Sequence, residues 1–238
     1  MIRLLFCIIL LCEVLDVSAQ QVLSSKEMIG ITPAIPVEMD IPQQAKKILS
    51  QKLTQTATQN GFGSFSGDFV LTANVLVMDK QKTGTVPAQF IIELEISLYV
   101  LNIQEGVIVN ETSVTYSGID DVENRAFIEA IKNLNPRSPA IRNFMKECRG
   151  KIVDYYTTRV PVLLAKAKSL TERALYGEAL AVLSVIPESV DEYPAIADQM
   201  VVIYTKELDK QAAAILQEVK VKMAEKEYKS ALELLLKI

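Results

Sequence analysis

The 238-residue sequence contains no histidine and no tryptophan. Without an imidazole there is no Ser-His-Asp triad, no Cys-His dyad and no His-ligated zinc, copper or haem. An excess of basic charge is missing too: 25 Lys and Arg stand against 29 Asp and Glu, a formal net charge of −4. A nucleic-acid footprint needs clustered Lys and Arg to displace counterions, so nucleic acid is not an expected partner. What is present is core material. Half of the residues are hydrophobic and 23% are charged, which excludes a disordered chain and suffices for one large domain or two modest ones.

No apolar run is long enough for a permanent anchor. Met1-Ile2-Arg3 supplies a positive start, Leu4 to Leu11 an apolar stretch, and Val17-Ser18-Ala19 a small-residue stop. Residues 1–19 therefore read as a secretory signal peptide cleaved between Ala19 and Gln20. Glu13 and Asp16 interrupt the apolar stretch well short of the roughly 20 residues that span a bilayer. Leu11 precedes Cys12 where a lipidation signal places a small residue, so no acyl anchor is expected. The mature chain is then exported, to the periplasm or beyond the cell. It keeps a single thiol, Cys148, which cannot close an intramolecular disulfide. Cys148 lies at helical spacing from Ile141, Phe144, Met145 and Ile152 and is expected to pack as a small hydrophobe.

The mature chain divides by period. Residues 20–28 form a polar leader. Ile29 to Val37, with Pro33 and Pro36, suits an extended edge segment. A helix capped by Asp40, with Pro42 in its first turn, should run to Asn60-Gly61. Alternation then predicts strands at Phe69 to Val77 and Phe90 to Val100, a hairpin turn at Gln104-Glu105-Gly106, and a third strand over Val107 to Ser117. Asp120-x-x-Glu123 suits a capping box for a helix ending at Asn135-Pro136, and Ser138-Pro139 opens another that reaches Tyr155-Tyr156. Pro161 reads as a breaker, placing a boundary between an α/β sheet domain, 20–156, and a helical segment, 157–238. The expected class is α+β.

Within the helical segment Tyr176-Gly177-Glu178-Ala179-Leu180-x-x-Leu183-x-x-Ile186 recurs as Tyr228-Lys229-Ser230-Ala231-Leu232-x-x-Leu235-x-x-Ile238, an offset of 52 residues. The Tyr-x-x-Ala-Leu pattern resembles the second helix of a tetratricopeptide repeat, in which a small Ala lets helices approach closely. The order of the first domain (extended segment, helix ending in Asn60-Gly61-Phe62, long strands, Gly118, helix with Ala126 and Ala130) resembles the α/β domains of the curli-secretion CsgG family and of the TolB amino terminus. That resemblance implies an assembly protein of the cell envelope and assigns no site residue.

Chemistry-bearing patterns are few. The Gly61 to Gly67 loop lacks the Lys-Ser or Lys-Thr of a phosphate cradle and reads as a helix cap. Glu93 and Glu95 share a strand face as solvated acids, while Asp120, Asp121 and Glu123 suit capping better than a cation site. Asn110-Glu111-Thr112 is a glycosylation sequon inside a predicted strand. Tyr155 and Tyr156 suit packing, and Lys46, Lys47 and Lys52 the wet face of their helix. No catalytic residue, metal or cofactor is expected. The candidate interaction surface is Ala231, Leu232, Leu235 and Ile238, an apolar stripe through which the isolated protein should self-associate. The function expected is a non-enzymatic protein-interaction or assembly adaptor of the cell envelope. Its rivals are an exported hydrolase working on glycans through carboxylates and a structural subunit of a larger assembly.

Overall fold

A computed structural model gives the fold of residues 29–63 and 68–237. The signal segment with Ala19 and Gln20, residues 64–67 of the Gly-rich loop, and Ile238 lie outside the described residues. Alternating residues build the sheet as expected. Strands β4 (Phe69–Lys82), β5 (Phe90–Asn102) and β6 (Val107–Asp120) form an antiparallel meander, and β2 (Thr32–Pro33) joins the β4 edge in parallel. Proline confines β2 to that edge because it cannot donate to a ladder. A separate two-stranded ladder pairs β1 (Ile29–Gly30) with β3 (Phe62–Gly63). The strands outrun the alternation on which they were predicted. A register shift between Val77 and Asp79 lets β4 continue to Lys82.

One sheet face is dry. Ile92, Leu94, Ile96, Leu98 and Val100 of β5 and Leu71 and Ala73 of β4 are all buried. Helices α1 (Gln43–Gln59), α2 (Glu123–Lys132) and α3 (Pro139–Glu172) pack with the sheet and with one another. Gly118 sets how closely α2 approaches. A Cβ there would stand 2.0 Å from the Ala126 carbonyl oxygen and 2.4 Å from the Ala130 nitrogen, so only glycine opposite two alanines allows this contact. Helix starts depart from expectation in two places. Pro42, not Asp40, precedes the first turn of α1. Val122, not Asp120, precedes α2: Asp120 ends β6, where its carboxylate accepts from the Val122 N–H at 3.0 Å, while Glu123 pairs with Lys80.

Pro161 does not break the chain. It sits inside α3, a helix of 34 residues that runs through 157–161, so the expected boundary falls within one continuous element. Two features let the helix continue. The apolar stripe passes uninterrupted through Tyr156, Val160, Ala167 and Leu170, all buried, and burial of that stripe outweighs a lost backbone hydrogen bond. Pro161 and Thr157 are both exposed, so the proline stands on the solvent side of the helix, away from the buried stripe.

The remaining helices are α4 (Tyr176–Ser184), α5 (Tyr193–Ala224) and α6 (Tyr228–Leu235). The class is α+β: a mixed sheet with its helices, followed by an all-helical segment. A single apolar cluster extends from Ile29 in the first strand to Ile203 in α5, so the sheet shares one core with α3, α4 and the first part of α5. Among the described residues no helix is long and apolar enough to cross a membrane.

Candidate functional site

The sequence repeat is a structural repeat, and it is larger than the matched residues. Helix α3 with α4 forms one long–short hairpin, and α5 with α6 forms another. At the 52-residue offset α3 corresponds to 191–224, which α5 fills from Tyr193 to Ala224. The two turns are built alike. Ala174 and Lys226, equivalent positions, both hold the left-handed conformation at φ 58° and 62°. The Leu175 N–H donates to the Leu170 carbonyl at 3.0 Å and the Glu227 N–H to the Lys222 carbonyl at 2.9 Å. Inside each turn Ala174 donates to Thr171 at 3.0 Å and Lys226 to Met223 at 3.1 Å. This paired pattern satisfies the orphan carbonyls at the end of each long helix. Nothing in the sequence marks these turns, because neither carries the glycine that usually takes the left-handed place.

Equivalent side chains differ in what covers them. Ala179 and Ala231 are both buried at the crossing of long and short helix. Leu183 is 0% exposed, whereas its counterpart Leu235 is 44% exposed, and Leu232 reaches 60%. The cause is α5. Its first half lies against α4 and buries Ile196 and Ile203, together with Leu183, Ile186 and Val190. Lys210 completes that contact: its Nζ donates to the Ala174 carbonyl at 2.9 Å and stands 5.7 Å from the centre of the Tyr176 ring. Among the described residues no helix takes the corresponding place on α6. Three members of the expected interaction surface are therefore placed, Ala231 inward and Leu232 and Leu235 outward.

The other candidates resolve into structural roles. Glu93 and Glu95 stand on the sheet face opposite the helices, half-buried, two residues apart on one strand. They are in register with Asp79 and Ser117 and with Leu76 and Thr115. A glycosidic acid pair must flank a bond across a cleft, which two positions in line on one strand face do not do. Among the described residues no group of three or more Cys, Asp and Glu side chains comes together in a metal-holding arrangement. A side-chain hydrogen bond with Asp121, the Val122 N–H and Arg125 together hold Asp120 down to about 2, and both carboxylates pair with Arg125.

Asn110 is occupied. Its amide donates to Glu147 at 3.2 Å and accepts from Lys151 at 2.9 Å, tying β6 to α3 instead of presenting a glycan acceptor. Cys148 is fully buried, and burial pushes its thiol up to about 12. Tyr155 and Tyr156 pack edge-on against Phe69 and each other, so they fasten α3 to β4. Lys52 departs from the wet-face expectation: half-buried, it donates to the Leu134 carbonyl at 2.8 Å and closes the end of α2, and burial lowers its pKa.

No protein-family profile and no curated protein matches the sequence. Solved structures with partial likeness include a minor lipoprotein from Acinetobacter baumannii, 12% identical, with 51% of this chain and 92% of that one covered at a TM-score of 0.33. PelC from Paraburkholderia phytofirmans, a dodecamer, is 11% identical over 54% of this chain and 84% of its own at 0.25. A Xanthomonas campestris protein of the DUF330 family is 13% identical over 53% and 83% at 0.32. Each likeness spans about half of this chain.

Proposed function

We propose that this chain is an exported, non-enzymatic adaptor of the cell envelope that binds protein partners through its second helical hairpin. One observation carries the reading: among the described residues Leu232 and Leu235 stand 60% and 44% exposed, on a face whose counterpart in the first hairpin lies against α5. Large apolar side chains gathered on one exposed helix face are the mark of an interaction site. The positive start, short apolar stretch and small-residue stop of residues 1–19 support export. The α/β body, with its buried sheet face and aromatic fastening of α3, then serves as the base from which the hairpins project.

The test is affinity capture from envelope extracts with the wild-type chain and with a Leu232→Glu/Leu235→Glu double variant. Both positions are exposed, so the variant keeps its fold, checked by circular dichroism. The expected result is a partner retained by the wild type and lost by the variant. Equal capture by the two proteins overturns the reading. Intact mass of the exported form, expected to begin at Gln20, tests the compartment independently.

A further inference from the structure

The α/β body carries its charge on two opposite sides. Glu93, Glu95 and Tyr99 of β5 alternate with the buried Leu94, Ile96 and Leu98, so they point away from the helices. Their register partners share that face: Asp79 stands opposite Glu93, Thr115 opposite Glu95 and Glu111 opposite Tyr99. The lysines of β4 lie on the other side, because Lys80 and Lys82 are in register with Ile92 and Phe90. The outer sheet face therefore holds Asp79, Glu93, Glu95 and Glu111 and no cation of its strands. The helix layer has the reverse bias. Helix α1 contains three lysines and no acid, and Arg137, Arg142 and Lys146 stand exposed around the start of α3.

We propose that the uncovered sheet face docks on the basic side of the helix layer, around the start of α3, of a second copy of this chain. Charge complementarity selects that occupant. Among the described residues the four carboxylates of the sheet face pair with no cation, and Lys47, Arg137, Arg142 and Lys146 pair with no carboxylate. Soluble surfaces ordinarily intersperse the two signs. Here the core separates them, so the two faces of one molecule cannot meet and each finds its complement on another copy.

The size of the face fits the role. Three strands of 13 or 14 residues make a surface on the order of 600 Å², close to the roughly 800 Å² that each partner brings to a standard interface. Its middle is polar, with the Ser97 and Ser113 hydroxyls hydrogen-bonded to each other at 2.8 Å. Charge, more than apolar burial, then holds the contact, which makes it sensitive to salt. The two patches differ, so the contact is head to tail: each copy keeps one free face of either kind, and association runs on to a closed ring or an open stack instead of stopping at a symmetric dimer. This contact is separate from α6 and goes beyond the adaptor reading.

Sedimentation velocity of the full chain over a concentration series provides the test. Association is expected at about 0.05 M salt and should weaken at least about tenfold at about 0.5 M. Glu93→Lys/Glu95→Lys and Arg142→Glu/Lys146→Glu should each stay monomeric alone. An equimolar mixture of the two should associate again, because each supplies the face whose sign the other has reversed. Circular dichroism checks both folds. Should the sheet variant fail to fold, Glu111→Lys/Ser113→Lys, at exposed positions of the same face on β6, takes its place. A monomer at every concentration and salt, association that both charge reversals leave intact, or a mixture that stays monomeric overturns the proposal. So does association that Leu232→Glu/Leu235→Glu alone abolishes, which assigns the contact to α6. A monomer that binds a lysine-rich peptide through Glu93 and Glu95 overturns it as well and gives the sheet face to a basic partner.

Discussion

The two hairpins have the same turns and the same alanine at their crossings, yet one is core and the other is surface. Ile152 and Tyr156 of α3 are buried against the α/β body, while their counterparts in α5, Tyr204 and Leu208, are 54% and 45% exposed. The difference is not in the hairpins themselves but in what each was given to lie on. A repeat unit of this kind fixes its own turn and crossing, and takes its remaining stability from its neighbours. Among the described residues the second hairpin has a neighbour on one side only.

Substitution at matched positions should break that comparison most sharply. Leu183→Ala removes a fully buried side chain and should cost about 2–5 kcal/mol, whereas Leu235→Ala should cost below about 1 kcal/mol. Denaturant midpoints of the two variants measure both. Equal losses would mean that α6 is covered as well as α4, and the asymmetry on which the proposed docking face depends would be gone.

The thiol sharpens the comparison through pH. Cys148 is fully buried in α3, and its counterpart in α5 is Met200, half-buried. Burial raises the Cys148 pKa from 9.0 to about 12, so the unfolded chain ionises first. The stability carried by the neutral thiol is full below pH 9 and is lost as pH rises toward 12. A Cys148→Ala variant should show a shallower decline of stability over that range. Native protein should resist thiol alkylation at pH 8.5 and react once denatured.

Protease should find the weaker hairpin first. Residues 225–229 are exposed, and of α6 only Ala231 is buried, so trypsin is expected to cut at Lys226 or Lys229 and release α6 before any other site. Arg159 lies in the segment that the sequence marks as a boundary, but it is helical, pairs with Glu105 and stacks at 4.5 Å on Tyr155. Early cleavage there would show that α3 opens at Pro161 and that the two parts are separable after all.

What was legible in the sequence was periodicity. Period two marked β4, β5 and β6, caps and breakers marked α1 and α2, helical spacing around Cys148 marked the start of α3, and the 52-residue offset marked the short helices. The long helices escaped the repeat because equivalence there is of position, not of residue type: Phe144 matches Ile196, Cys148 matches Met200 and Ile152 matches Tyr204. Pro161 misled because a breaker acts through the backbone alone, and here the apolar stripe continues on the opposite side of the helix. The capping box failed for a related reason, since β6 runs on through Gly118 to Asp120 and spends the aspartate at a strand end. Lys52 looked solvated because its contact, the Leu134 carbonyl, lies 82 residues away. Of the candidate surface, Leu232 and Leu235 were legible as an apolar stripe. Ala231, expected on the same surface, faces inward instead, because the short helix crosses its long partner there.

The smallest effect tests whether the shared turn is a shared strain. Ala174 and Lys226 hold left-handed backbone, which costs a side-chain-bearing residue about 1 kcal/mol or more and glycine almost nothing. Glycine also gains freedom in the unfolded chain, so the net stabilisation from Ala174→Gly should be about 0.5–1 kcal/mol. Both turns carry the same hydrogen bonds, and the same relief is available at Lys226→Gly. The readouts should differ. Ala174 joins helices that share the main core, so its glycine variant shifts the global denaturation midpoint. Lys226 joins α6, whose one buried residue among those described is Ala231, so α6 is expected to open locally and the variant to leave that midpoint nearly unchanged. Measured instead by the slowed exchange of amide hydrogens in Tyr228–Leu235, its gain reports the local opening of α6. A global shift of equal size at both positions would show the two hairpins unfolding as one unit, and the second hairpin would then be as much core as the first.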